Sequence, residues 1–169
     1  MAKKHPNAPF TYDWPMANVA VDIVLTTEPS ETEGCKVLLL RRGEDPYKGQ
    51  LALPGGFLDV LEDRTLLDAD FRELEEETKL TRDQLEELLI GDPIQTEVLG
   101  DIDRHPRGRV VSVVFHFRIR DEIKAVASDD AEPGSAQYIP VRLLPDESEF
   151  AFEHRQTVLN AVYEEYLPD

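Results

Sequence analysis

Four carboxylates fall within the six residues Arg72-Glu73-Leu74-Glu75-Glu76-Glu77. If this stretch is helical, Glu73, Glu76 and Glu77 share one face within an arc of about 100°, because positions i, i+3 and i+4 are neighbours on a helix. Like charges so placed repel by several tenths of a kcal/mol per pair. A divalent cation removes that cost, and hard oxygen ligands suit Mg²⁺, with Mn²⁺ as the alternative. Arg72 can orient one of these carboxylates through its planar fork. The competing reading is a solvated acidic helix face. Upstream, Pro54-Gly55-Gly56 closes a short apolar run. Glycines there let backbone approach a ligand closely and reach positive φ, so a tight turn is expected to deliver the acidic helix. Such a turn beside clustered carboxylates suits substrates whose charge sits in phosphates bridged by metal ions.

A second set of residues is basic. Arg104, Arg107 and Arg109 share residues 103–109 (DRHPRGR) with a proline and a glycine, a loop composition. In a chain of net charge −17, arginines gathered there point to an anion site, since guanidinium groups grip phosphate or ribose oxygens through paired hydrogen bonds. A solvated turn between strands is the alternative. Arg41 and Arg42 are weaker candidates for the same role. Asp129, Asp130 and Glu132, in another loop, would supply a further metal ligand or the base for water, against the reading of an ordinary acidic loop. His105, His116 and His154 show no ligand spacing and read as hydrogen-bonded structural residues.

Positioning these groups requires elements of both kinds. Residues 19–25 (VAVDIVL) and 36–40 (KVLLL) read as neighbouring buried strands, being short, apolar and rich in branched side chains. A Gly/Pro/Asp-rich loop, 43–50, follows, then a short apolar piece, 51–53. The acidic segment reads as a helix over 65–78. Thr65 caps it, with Asp68 as a box-like partner, and Leu67, Phe71, Leu74 and Thr78 form the buried stripe opposite the glutamates. Thr81 caps a second helix over 82–89, stopped by Gly91 and Pro93. Strands are expected at 96–99, 109–119 and 137–141, and an amphipathic helix at 152–166 carries Val158, Val162 and Tyr166 on one side. Strands mixed with helices in this order indicate an α/β or α+β layered fold. Residues 1–169 read as one domain that includes a polar leader, 1–16, in which Tyr12 and Trp14 are expected to pack at a dimer interface, with stacking on an adenine as the alternative.

Composition narrows the function classes. Basic residues number 18 against 35 acidic ones, so contact with nucleic acid or an anionic membrane is unfavourable. No apolar stretch approaches the roughly 18 residues a membrane span needs. Cys35 is the single cysteine, which rules out an internal disulfide. A cytoplasmic protein is the simplest expectation.

The segment 56–80, GFLDVLEDRTLLDADFRELEEETKL, resembles the Nudix box, G-x5-E-x7-R-E-U-x-E-E-x-G-U, where U is a bulky aliphatic residue. Gly56, Glu62, Arg72, Glu73, Leu74, Glu76, Glu77 and Leu80 match. The interval from Glu62 to Arg72 is two residues longer than the pattern, so Asp63-Arg64 reads as an insertion, and Lys79 stands where the late glycine would be; the match makes Glu62 a further candidate metal ligand or base. The runs LLLRRGEDPYKGQLALPGGF, DRHPRGRVVSVVF, SDDAEPGSAQYIP and FEHRQTVLNAV resemble the ADP-ribose pyrophosphatase branch. That branch includes the Nudix domains of bifunctional nicotinamide mononucleotide adenylyltransferases and the Nudix-like domains of NAD-metabolism repressors. The resemblance implies an αβα sandwich around a mixed sheet, a homodimer, and metal ligation by Glu73, Glu76 and Glu77 with Gly56 beside them.

The reaction implied is attack by water on a pyrophosphate phosphorus with Mg²⁺ assistance, turning ADP-ribose into AMP and ribose 5-phosphate. Glu76, Glu77 or the 129–132 loop would take the proton. Two rivals stand beside it: a sensor domain that binds an NAD-related nucleotide without cleaving it, and a housecleaning hydrolase of other nucleotides.

Overall fold

The computed structural model describes residues 12–166. Its first strand, β1 (Asn18–Thr27), is buried along most of its length. It runs parallel to β6 (Val110–Ile119) over ten residue pairs, from Asn18 opposite Val110 to Thr27 opposite Ile119. On the other side β1 pairs antiparallel with β2 (Lys36–Arg41), as its apolar run leads one to expect. The path continues to β3 (Leu51–Ala52) at one edge and β5 (Ile94–Leu99) at the other; β7 (Gln137–Pro140) adds to β2. The sheet is therefore mixed.

Two helical layers cover it, which is why β1 reads as a near-continuous apolar run and not an alternating one. Helix α1 (Leu66–Thr78) lays Phe71 and Leu74 on Ile23, Leu25, Leu38 and Phe117, and α2 (Arg82–Leu88) adds Leu85 to that cluster. Helix α3 (His154–Tyr166) places Val158 and Ala161 on Val24, Val37 and Leu39 from the opposite face. This is the αβα sandwich. The chain enters α3 through Phe152, whose φ of 51° delays the helix to His154. Val158 is fully buried and Val162 half-buried; the side chain of Tyr166 lies outside the described residues. Residues 1–11 of the leader also lie outside them, and Tyr12 and Trp14 are exposed, Trp14 by 65%.

Three local expectations need correction. Gly55-Gly56 is not the turn: it belongs to a short strand, β4 (Gly55–Phe57), antiparallel to β1, with the bend one step earlier at Pro54. The glycines are needed there for closeness, since a Cβ on Gly55, at φ 154°, would meet the Val21 carbonyl oxygen at 2.2 Å. Thr65 caps α1 by accepting the Asp68 N–H at 3.1 Å, but the Asp68 carboxylate turns to Arg82 instead of closing a box. The reciprocal box is instead at Thr81 and Gln84, at the start of α2. Finally, the glutamate side of α1 is not solvated throughout: Glu73 is 8% exposed and Asp70 fully buried, because β4 and β1 pack there.

Candidate active site

One cleft, about 310 Å³ in volume, opens where α1, β1, β4 and the loops around Arg42, Arg104, Asp129 and Phe152 meet. Its acidic wall is α1. The carboxylate of Glu73 lies flat against Gly56, where a Cβ would approach its oxygens to 2.5 and 2.6 Å. Glu77 accepts the Gly55 N–H on Oε2 at 3.0 Å. Thus β4, pinned by its glycines, fixes two of the three glutamates. Glu76 is turned outward, receiving Arg72 at 2.9 Å. The three carboxylates line one cleft without converging, and among the described residues no three acidic, histidine or cysteine side chains stand ready around a single metal point.

The cost of burying these acids is visible in their protonation. Burial pushes the Glu77 carboxyl up to about 8, with Glu73 and Asp130 adding to the effect and Gly55 N–H and Arg42 opposing it. Burial raises Glu73 as well, against the pull of Arg72. Asp70 is pushed up to about 9 by burial, with Asp22 and Glu73 contributing, and neither of its oxygens has a hydrogen-bond partner among the described residues. Hard oxygen donors drawn from water with too little positive charge nearby fit a bound divalent cation.

Arg72 is held by a residue that the box alignment set aside. Its Nε and Nη2 donate to both oxygens of Asp63 at 3.0 and 2.8 Å, its Nη2 also to the Phe57 carbonyl, and its Nη1 to Glu73 and Glu76. Glu62 is exposed and does not line the cleft. Asp63 takes this place because the 59–63 turn, closed by the Asp59 N–H on Asp63 Oδ2, brings it under the guanidinium.

The basic candidates separate. Arg42, Arg104 and Arg107 line the cleft, whereas Arg41 and Arg109 do not. Arg41 is committed to the Gly49 carbonyl and Arg109 is exposed at the strand entry. Arg104 is spoken for: it donates to Glu153 at short range, to Ser112 at 2.9 Å and to Asp22 at 3.4 Å, and its side chain is 6% exposed. Arg42 and Arg107 are the freer cations, each tied to the loop by one backbone carbonyl, of Pro46 and Asp45. Asp129 and Asp130 reach the cleft because their loop is laced to α1 and β2 through Ser128 N–H on Glu77 O, Gly43 N–H on Asp130 O, and Glu132 N–H on Arg41 O. Glu132 itself points elsewhere.

Histidines divide likewise. His116 is buried against Thr26 Oγ1 at 2.7 Å, a structural role as expected. His105 and His154 instead line the cleft around Phe152, on which His105 stacks with centroids 5.2 Å apart. Reasoning from spacing missed Asp22, Asp63, Phe152 and His154. Asp22 alone left a signal, as a lone acid inside an apolar strand.

The NUDIX domain model matches residues 16–160. This chain belongs to the NUDIX family. It is 38% identical over 124 residues to an ADP-ribose pyrophosphatase of Methanocaldococcus jannaschii, covering 73% of this chain and 63% of that protein, so it spans less than two-thirds of that relative's length. Its fold is similar to the NUDIX domain of Shewanella oneidensis NrtR complexed with ADP ribose, with TM-score 0.72, 25% identity, and coverage of 96% and 94% of the two chains. A bifunctional NMN adenylyltransferase/ADP ribose pyrophosphatase from Francisella tularensis is similar too, with TM-score 0.68 and 29% identity over 94% of this chain and 43% of that one. The Nudix box glutamates are thus carried on the helix that family membership leads one to expect. Lys79, in place of the box glycine, ends α1 in a left-handed conformation, at φ 59°.

Proposed function

We propose that this Nudix domain hydrolyses the pyrophosphate bond of a nucleoside diphosphate derivative, ADP-ribose, to AMP and ribose 5-phosphate in the presence of Mg²⁺, with Mn²⁺ able to substitute. The observation that carries the reading is one cleft lined both by Glu73, Glu76 and Glu77 and by Arg42 and Arg107. Cations and carboxylates sharing one cleft suit a ligand that carries phosphate charge and recruits metal. Glu73, Glu76 and Glu77, with Gly56 beside them, would hold the ion, which supplies charge neutralisation at phosphate and a more acidic water. Arg72 positions Glu73 and Glu76. Arg42 and Arg107 bind phosphate oxygens, and Glu76, Glu77 or the Asp129-Asp130 pair takes the proton of the attacking water. Glu62, Glu132, Arg41 and Arg109 have no part in this reading. A homodimer and a cytoplasmic location belong to the same proposal; among the described residues no helix is long and apolar enough to cross a membrane.

A sensor that binds without cleaving is the second reading, favoured by the likeness to the ADP ribose-bound NrtR domain. Cleavage products resolved by anion-exchange chromatography over ADP-ribose, NADH, diadenosine polyphosphates and modified dNTPs, with and without Mg²⁺, separate the two. The enzyme reading expects ADP-ribose to lead the panel. It also expects Glu76→Gln and Glu77→Gln to lower turnover by about 10²-fold or more while melting curves stay cooperative. A flat panel, or near-parental turnover in both variants, removes it.

A further inference from the structure

The floor of the cleft holds a buried hydrogen-bond donor with nothing to donate to. His154 is 3% exposed, and its Nδ1 accepts the Leu53 N–H at 3.0 Å. That bond requires a lone pair on Nδ1, so in the neutral imidazole the proton sits on Nε2. Burial keeps the ring neutral, and although Asp22 and Glu153 pull the other way, Arg104 and Arg42 reinforce it. Nε2 has no hydrogen-bond partner among the described residues. Asp22 Oδ1 stands 3.6 Å away, beyond hydrogen-bond reach. Asp22 in turn spends Oδ2 on Arg104 at 3.4 Å and leaves Oδ1 facing the histidine. Both residues line the cleft.

A donor and a carboxylate so spaced discriminate by chemistry. A phosphate oxygen only accepts, so it would satisfy Nε2–H but meet the Asp22 charge. An ammonium only donates and would leave Nε2–H unpaired. A hydroxyl does both, accepting from Nε2–H and donating to Oδ1. We propose that His154 and Asp22 form a hydroxyl-reading subsite on the cleft floor, which takes a ribose hydroxyl of the substrate. Arg104, whose guanidinium ties together Asp22, Ser112 and Glu153, then positions the acceptor and is not itself the phosphate clamp. The inference deepens the proposed pyrophosphate hydrolysis and rests on it.

Either ribose of a dinucleotide-like substrate carries the needed hydroxyls, so the test has two arms. In one, ADP-ribose is compared with an ADP butyl ester, which keeps the pyrophosphate but lacks the distal sugar. In the other it is compared with ADP-ribose whose adenosine is 2′,3′-dideoxy. The parent protein should favour ADP-ribose by about a hundredfold in kcat/KM in one arm, because a site built around a hydroxyl rejects its absence strongly. That preference should shrink at least tenfold in both Asp22→Asn and His154→Asn. The first keeps an acceptor for Arg104; the second keeps an oxygen for the Leu53 N–H, and melting curves establish that each is folded. No preference in either arm, or a preference unchanged in the variants, overturns the subsite. If the parent cleaves none of the three compounds, the hydrolytic reading fails, and the same ratios measured as Kd by calorimetry still decide whether His154 and Asp22 read a hydroxyl.

Discussion

The clamp on Arg72 gives the sharpest test, because the acid that the box pattern matches and the acid that holds the guanidinium in the fold are adjacent residues. By the pattern, Glu62 is the matched acid and Asp63 part of an insertion. In the fold, Asp63 makes two hydrogen bonds to the guanidinium and accepts the Asp59 N–H at 2.8 Å, with its side chain 4% exposed and that of Arg72 24%. Charge-assisted bonds cost about 1.5–3 kcal/mol each to lose, but Arg72 would retain Glu73, Glu76 and the Phe57 carbonyl, so Asp63→Ala should cost about 2 kcal/mol in total. In a domain of this size that lowers the melting temperature by about 4–8 °C. Glu62→Ala, at an exposed position without such bonds, should stay within about 0.5 kcal/mol. Turnover should follow the same order. Freed on one side, Arg72 no longer fixes the Glu73 and Glu76 carboxylates, and loss of such an orienting contact lowers metal-dependent activity by about 10–100-fold. Calorimetric melts and steady-state kinetics on the two alanine variants measure both quantities. A larger effect from Glu62→Ala in either would show that Asp63 is not the clamp.

Three further outcomes follow from single contacts. Gly56→Ala puts a methyl group 2.5 Å from the Glu73 carboxylate, which must swing away; turnover should fall about 10²-fold with stability changed by less than about 1 kcal/mol, and equal loss of both would refute the local account. Lys79→Gly removes a non-glycine residue from a left-handed helix end and should stabilise by about 1 kcal/mol in urea unfolding; a destabilisation would mean that the lysine side chain matters more than its backbone. In the metal-free protein Glu77 stays protonated in the fold up to about pH 8, whereas unfolded it ionises near its ordinary 4.5. The unfolded state therefore sheds the proton first, and this group's contribution to stability falls as pH rises across that window. Glu77→Gln should accordingly gain on the parent in melting temperature from about pH 4.5 to 8 and by no more above it; a gap independent of pH would place the carboxylate in contact with water.

Much of this protein was legible in the chain itself. The apolar runs of β1 and β2, the threonine caps of α1 and α2 and the helical spacing of Glu73, Glu76 and Glu77 are consequences of neighbours within a few residues. Periodicity and capping report such neighbours directly. The Nudix pattern added the fold and the order of layers. Other features depend on residues distant in sequence. Gly55 and Gly56 look like a turn until β4 is seen pressed against β1 and Glu73, where their missing side chains are what lets the strand close on the helix. Arg104 reads as a phosphate binder in a basic loop, and only the approach of Asp22 from β1 and Glu153 from beside α3, 82 and 49 residues away, commits its donors. His154 showed no ligand spacing because the groups beside it, the Leu53 N–H and the Asp22 carboxylate, come from distant parts of the chain. The exchange of Glu62 for Asp63 was decided by the path of a five-residue turn. Helical geometry set which carboxylates could act together; the crossing of strand, helix and loop decided which charges are buried, which are already paired, and which are left to meet a ligand.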